Sequence, residues 1–155
     1  MGVRITDRLT PEGQRFFREL AELKELEVRV GFRHGEATDK KGVDNCDKAA
    51  WNELGTEHIP SRPFIRQSVD NNEDKINSFL QIRVKAFARG ESVEDTLNKI
   101  GNFQKKLMQA EIKDGDFVPN SEATIRKKKS DQPLIDTGEM RQSVNYVIQK
   151  KGSED

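Results

Sequence analysis

The chain has one cysteine (Cys46), one tryptophan (Trp51), one tyrosine (Tyr146) and two histidines (His34 and His58) in 155 residues. A single cysteine excludes an intramolecular disulfide and fits synthesis in a reducing compartment. No run of about 18 apolar residues occurs, so no stretch offers a membrane-spanning helix. Met1 to Leu9 mixes Arg4, Asp7 and Arg8 with few apolar residues, unlike a signal peptide. The expectation is a protein made and used in soluble form. Neither sign of charge is in excess, because 27 Lys and Arg balance 27 Asp and Glu. Long-range attraction to nucleic acid or to a membrane is therefore not expected, although a local patch remains open.

Apolar residues are also scarce, at 33%, while charged residues reach 35% against about 25% in ordinary globular domains. The length suits a single domain. A lean core beneath a charged surface is common in subunits that gain stability from neighbours.

Thr10-Pro11-Glu12 reads as a helix start, with a hydroxyl cap, proline at the first position and an acid near the positive end. Phe16, Phe17, Leu20 and Leu23 or Lys24 follow at helical spacing. The clearest strand is Leu26 to Phe32, with Leu26, Val28, Val30 and Phe32 on one face. Arg33 to Lys48 reads as a polar loop, mobile unless a neighbour orders it. Ala49 to Leu54 predicts a short helix stopped by Gly55, and Ile59 to Phe64 is extended because residues before proline avoid the helical region. Pro63 is expected to start the longest helix, with a seam of Ile65, Val69, Ile76, Leu80, Val84 and Phe87. Ser92 caps a further helix with the seam Val93, Leu97, Ile100, Phe103 or Gln104, and Leu107.

Residues 114–133 are polar, with a short helix expected from about Ser121. Asp136 reads as the cap of another start, with Glu139 at its third position. A closing strand alternates Val144, Tyr146 and Ile148 with polar residues. The fold class is thus α+β: a small antiparallel sheet packed by two long helices, with two extended polar loops or arms. The expected core covers about 10–32 and 49–148, with a mobile loop 33–48, a polar arm 114–133 and a frayed tail 149–155.

Chemistry is thinly represented. Asp136-Thr137-Gly138 looks like the signature of aspartic proteases, which need two carboxylates sharing a proton. That triplet should follow a strand in a largely β protein, whereas here Glu-Met-Arg-Gln-Ser continues it as helix, so a capping role is preferred. His34, Asp39, Asp44, Cys46, Asp47 and His58 share one region without any recognised metal-ligand spacing. Nucleophilic catalysis would need Cys46 or a serine beside a histidine and an orienting acid, and nothing favours it. The basic run Arg126-Lys127-Lys128-Lys129 could touch phosphate, but it is short and lacks interleaved aromatics. Trp51 reads as a core or interface anchor.

Several segments together carry a more specific signal. Val28 to Phe32 precedes Ala49-Ala50-Trp51-Asn52-Glu53-Leu54-Gly55-Thr56, then Ile59-Pro60-Ser61-Arg62-Pro63-Phe64-Ile65-Arg66. Later stand Ser121 to Lys128 and Pro133-Leu134-Ile135-Asp136-Thr137-Gly138-Glu139-Met140-Arg141-Gln142-Ser143-Val144. Taken in this order, over about residues 26–148, they resemble the neck and tail-completion proteins of tailed bacteriophages, also called minor tail or virion morphogenesis proteins. The loop from Arg33 to Lys48 departs from that pattern, and Met140 replaces the commoner leucine.

The resemblance implies a non-enzymatic virion subunit without cofactor or metal. Copies would form a ring, a hexamer or dodecamer, at the neck or upper end of the tail around the DNA channel. They would contact neck, connector and tail-tube proteins. It also implies structural or interface roles for Trp51, Glu53, Arg62, Pro63, Phe64, Asp136, Thr137, Gly138 and Arg141. Pro60 and Pro63 would fix a helix entry, and Phe64 would staple it to the sheet. Arg62 would bind an acid or carbonyls at a packed turn. Arg141 and Ser143 would lie near a subunit boundary, and the two polar segments would reach adjacent subunits. The rival reading is a nucleic-acid-binding protein that uses Arg126 to Lys129.

Overall fold

The computed structural model describes residues 8–153; the calls on Met1 to Asp7 and on Glu154 and Asp155 lie outside them. The elements run α1 (Pro11–Glu25), β1 (Leu26–Gly31), α2 (Asn45–Leu54), α3 (Phe64–Asp70), α4 (Glu73–Ala88), α5 (Val93–Asp114), α6 (Glu122–Lys128), α7 (Glu139–Gln142) and β2 (Asn145–Lys150). The fold is α+β, with helices packed against a two-stranded antiparallel sheet. Its register pairs Leu26 with Lys150 and Gly31 with Asn145. Because β2 reaches Lys150, the tail expected to fray from residue 149 begins as ordered strand, and the Lys151 N–H then donates to the Glu25 carbonyl at 2.9 Å.

A two-stranded sheet is marginal alone and needs a packed face. Here α5 supplies it, packing against β1, β2, α1, α3, α4 and α7. At about 1.5 Å per residue its 22 residues span about 33 Å, enough to cross two apolar clusters. Met108 and Ile112 near its C-terminal end join Ala49, Phe64, Leu134, Met140 and Val144, with Val30 and Phe32 against them. Val93 and Leu97 at the other end join Phe87, with Phe16, Leu20, Leu26, Val28 and Ile148 alongside. The alternating residues of β1 therefore serve both clusters in turn. The expected seam of α5 held at Val93 and Leu97 but missed Met108 and Ile112, which follow its drift around the helix axis.

The caps at Thr10 and Ser92 form as expected, and Ser121 caps the short helix expected from about its position, each side chain accepting a first-turn N–H. Phe17 instead stays at the surface. The largest correction concerns the long helix after Pro63, which is two helices meeting at Asn71-Asn72. The Asn72 amide donates to the Ser68 carbonyl at 3.1 Å, competing with the helical ladder as asparagine does. The two helices thus point their apolar residues differently, and Val69, Leu80 and Val84 of the expected seam are exposed. The longest helix is α5.

The polar loop is shorter and more tightly tied than expected. Asp39 accepts the N–H groups of Lys41 and Val43 at 2.8 and 2.9 Å and pairs with Lys48. Asp44, buried, caps α2 through Cys46 and also accepts the Gly35 N–H at 2.6 Å. Consequently α2 starts at Asn45 rather than Ala49.

Gly101 explains how close α5 lies to the sheet. A Cβ there would overlap the Tyr146 ring, whose hydroxyl donates to Asn98 at 2.9 Å and accepts from Asn102 at 3.1 Å. Gly101→Ala should therefore lower stability by about 1–3 kcal/mol despite alanine's better helix propensity, read as a lower urea midpoint at unchanged m.

Candidate functional site

The segment from Ile59 to Pro63 has neither helix nor strand, and its prolines donate no N–H. Residues 115–120 opposite it are equally irregular. Backbone groups in such stretches need partners from elsewhere. Arg62 provides them. It is 4% exposed, and its Nε donates to the Val118 carbonyl at 2.8 Å. Its Nη2 donates to Asn120 Oδ1 at 3.1 Å and to the Pro119 carbonyl at 3.4 Å, and its Nη1 to Asn52 Oδ1 at 3.5 Å. All these acceptors are neutral, so Arg62 is a carbonyl-binding arginine rather than half of an ion pair. Burial pushes its guanidinium below the ordinary value. The fixed fork of five donors suits several carbonyls at once.

Asn120 and Lys128 extend the lattice to the next segment. The Asn120 amide donates to the carbonyls of Gln132 and Pro133, both at 3.4 Å, and Lys128 Nζ reaches the same two at 3.0 and 3.3 Å. Burial lowers the Lys128 ammonium's affinity for its proton, partly offset by the Asp136 carboxylate. The polar stretch 114–133 thus folds back onto its own chain. So does the basic run: Lys128 turns inward, while Arg126, Lys127 and Lys129 remain exposed.

Glu53 joins α2 to α3. Pro63 holds the N-cap position of α3 without a side-chain hydrogen bond, and Glu53 caps that helix from outside, accepting Ile65 N–H at 2.8 Å and Arg66 N–H at 3.1 Å. Gly55, with φ 79°, makes the turn behind it, where a Cβ would crowd the Ser61 backbone. Phe64 is fully buried and meets Phe32 edge-on at 5.9 Å, tying α3 to the end of the sheet.

The Asp136 cap expected from sequence is not there. Gly138, in the left-handed region at φ 82°, occupies the N-cap position of α7, and the Thr137 hydroxyl accepts the Glu139 N–H at 3.4 Å. Asp136 lies two residues before that cap position and faces Lys128 electrostatically instead. Behind α7, Arg141 and Gln109 exchange hydrogen bonds. Arg141 Nε donates to the Gln109 carbonyl at 3.0 Å, and the Gln109 amide donates to the Arg141 carbonyl at 3.1 Å.

Between these walls lies a cleft of about 620 Å³, lined by Asn52, Arg62, Asn120, Thr124, Lys128 and the turn Asp136-Thr137-Gly138, among others. Phrases widely separated in sequence therefore meet at one place. Of the singled-out residues, Arg62, Asp136, Thr137 and Gly138 line the cleft; Glu53, Pro63 and Phe64 brace it, and Arg141 fastens α7 to α5. Trp51 stands apart at the surface, 43% exposed. Asn52, Asn120 and Gln109 were not singled out by sequence, and Lys128 was singled out only as part of the basic run that could touch phosphate. The one usable signal was Asn120 immediately before the Ser121 cap.

The polar groups here mostly hold backbone. Ser121 and Thr124 hydroxyls bond each other at 2.9 Å, and Ser121 also caps α6. Elsewhere, burial pushes the Cys46 thiol above its ordinary value, which keeps it protonated and poorly nucleophilic. His34 approaches Asp44 at 3.6 Å and Asp47 at 3.8 Å, but Asp44 is already committed to N–H groups. Among the described residues, no three His, Cys, Asp or Glu side chains are grouped to hold a metal ion. No helix among them is long and apolar enough to cross a membrane.

Arg62→Ala should cost about 3 kcal/mol by leaving buried carbonyls unpaired, and Arg62→Lys should recover less than half, because a point charge cannot replace the fork. Urea unfolding of both variants measures this. Hydrogen bonding to Lys48 holds Asp39 down from 3.8 to about 2. A depressed folded-state value stabilises above pH 3.8 and is lost as pH falls towards 2, so Asp39→Asn should flatten that part of the stability–pH curve. No protein-family model, curated protein or solved structure matches this chain.

Proposed function

We propose that this chain is a structural, non-catalytic subunit of a tailed-bacteriophage virion, made in the host cytoplasm. In this reading, copies form a ring at the head–tail neck or the upper end of the tail. The carrying observation is that the phrases at 49–56, 59–66, 121–128 and 133–144, which underlie the resemblance, converge on one cleft. Their polar side chains hold backbone carbonyls and helix ends there, a fastening arrangement that shapes a docking surface. Trp51 and Leu54, 43% and 75% exposed on neighbouring turns of α2, offer apolar contact to an adjacent copy or to connector and tail-tube proteins. Zero net charge suits a subunit that lines a DNA passage without gripping the strand.

The rival use of the basic run for nucleic acid loses Lys128, which is spent on carbonyls. Disrupting the gene in the phage that encodes the chain should leave DNA-filled heads and separate tails in electron micrographs, and added purified protein should join them. Normal joining would defeat the reading. So would purified protein that binds DNA with a steep salt dependence, or peptide cleavage abolished by Asp136→Asn.

A further inference from the structure

One wall of the cleft is anchored differently from the rest. Phe117 packs against the apolar cluster at the C-terminal end of α5, and Leu134 belongs to that cluster. Between these anchors none of residues 118–133 is buried, and neither apolar cluster takes in any of them. Helix α6, which lies in this span, has no buried residue and packs substantially against no other helix or strand. A segment with so little apolar anchoring opens at a lower free energy than the core. The hydrogen bonds sort in the same way. Within the segment, the Asn120 amide and Lys128 Nζ both donate to the Gln132 and Pro133 carbonyls, which stitches its two ends together. A loop with joined ends, held by its own side chains, keeps its shape as a unit. Among the described residues, every hydrogen bond from 118–133 to the rest of the chain comes from Arg62, apart from that of the Ile135 N–H to the nearby Gln132 carbonyl. Asp136 faces Lys128 from the Leu134 side. Arg62 in turn is fixed to the body, because its backbone N–H donates to the Asn52 carbonyl of α2 at 2.6 Å.

We propose that residues 118–133 form a flap over the cleft, hinged at Phe117 and Leu134 and latched by the Arg62 side chain. Pro119, Asn120 and Thr124 line the cleft from the flap, and Asn52 and Pro60 line it from the body. While latched, the flap gives the cleft its shape. Released, it swings away as a stitched unit, widens the cleft and uncovers the guanidinium for an entering guest. One arginine suits a latch because its donors sit in a rigid fork. The acceptors it holds on the flap, the Val118 and Pro119 carbonyls and Asn120 Oδ1, come from consecutive residues and are let go together. On opening they meet water, so no unpaired buried carbonyl opposes the motion.

The flap concerns the chain's own contacts and does not rest on the virion role. Arg62 supplies both probe and control, because its Nε–H reports the latch and its backbone N–H reports the body. Hydrogen exchange of the full chain, followed by NMR, should show the Nε–H opening at least roughly tenfold more often than the backbone N–H once intrinsic rates are divided out. Low urea should barely change the Nε–H rate while speeding the backbone N–H, because flap opening exposes little surface and global unfolding exposes much. Asn120→Ala removes one latched acceptor and should raise Nε–H exchange by about threefold or more, with circular dichroism showing the fold intact. Equal opening and equal urea dependence for the two groups would mean that the latch releases only when the whole chain unfolds, and overturns the proposal. Nε–H exchange indifferent to Asn120→Ala overturns it too.

Discussion

The buried guanidinium of Arg62 is the interaction on which the functional half of the molecule depends. Around it run three stretches with little regular structure, 55–63, 115–121 and 129–138, and each has backbone groups that no helix or sheet ladder satisfies. A buried carbonyl without a partner costs free energy comparable to a lost hydrogen bond. Arg62 meets several of these needs from one point, and Asn120 and Lys128 meet those of the Gln132 and Pro133 carbonyls. The cleft exists because side chains do here what secondary structure does elsewhere.

The rest of the molecule hangs on α5. One helix crosses both apolar clusters, so the sheet, α1, α3, α4 and α7 are all positioned relative to it. Close approach at Gly101 lets the Tyr146 ring lie on the helix backbone. At the start of α5, Glu91 gathers Arg83, Thr96 and Lys99, and the Lys99 hydrogen bond above all holds its carboxylate below the usual range. That cluster ties the end of α4 to α5 near Phe87 and leaves the middle of α4 covered on one side only.

Two surfaces of different character result. The cleft is polar but internally satisfied, which gives it a fixed shape. On α4, Leu80, Ile82 and Val84 stay exposed to water. A lean apolar fraction makes such exposure notable, because the chain leaves scarce apolar residues in water instead of placing them in the core.

Local chemistry determined much of this protein from the sequence alone. Thr10, Ser92 and Ser121 cap helices because a short hydroxyl side chain reaches a first-turn N–H without any tertiary help. The alternation of Leu26, Val28 and Val30 specified a one-faced strand because the pleat has period two. Tertiary structure decided what local pattern could not. The Asn72 amide broke an apparently continuous helix through one bond to Ser68, an alternative that periodicity does not register. Capping passed from Asp136 to Thr137 and Gly138 because the chain direction there is set by Leu134 and Met140 entering the core. Arg62 acquired its partners from residues 56 to 58 positions away, and separations of that size are invisible to any local rule.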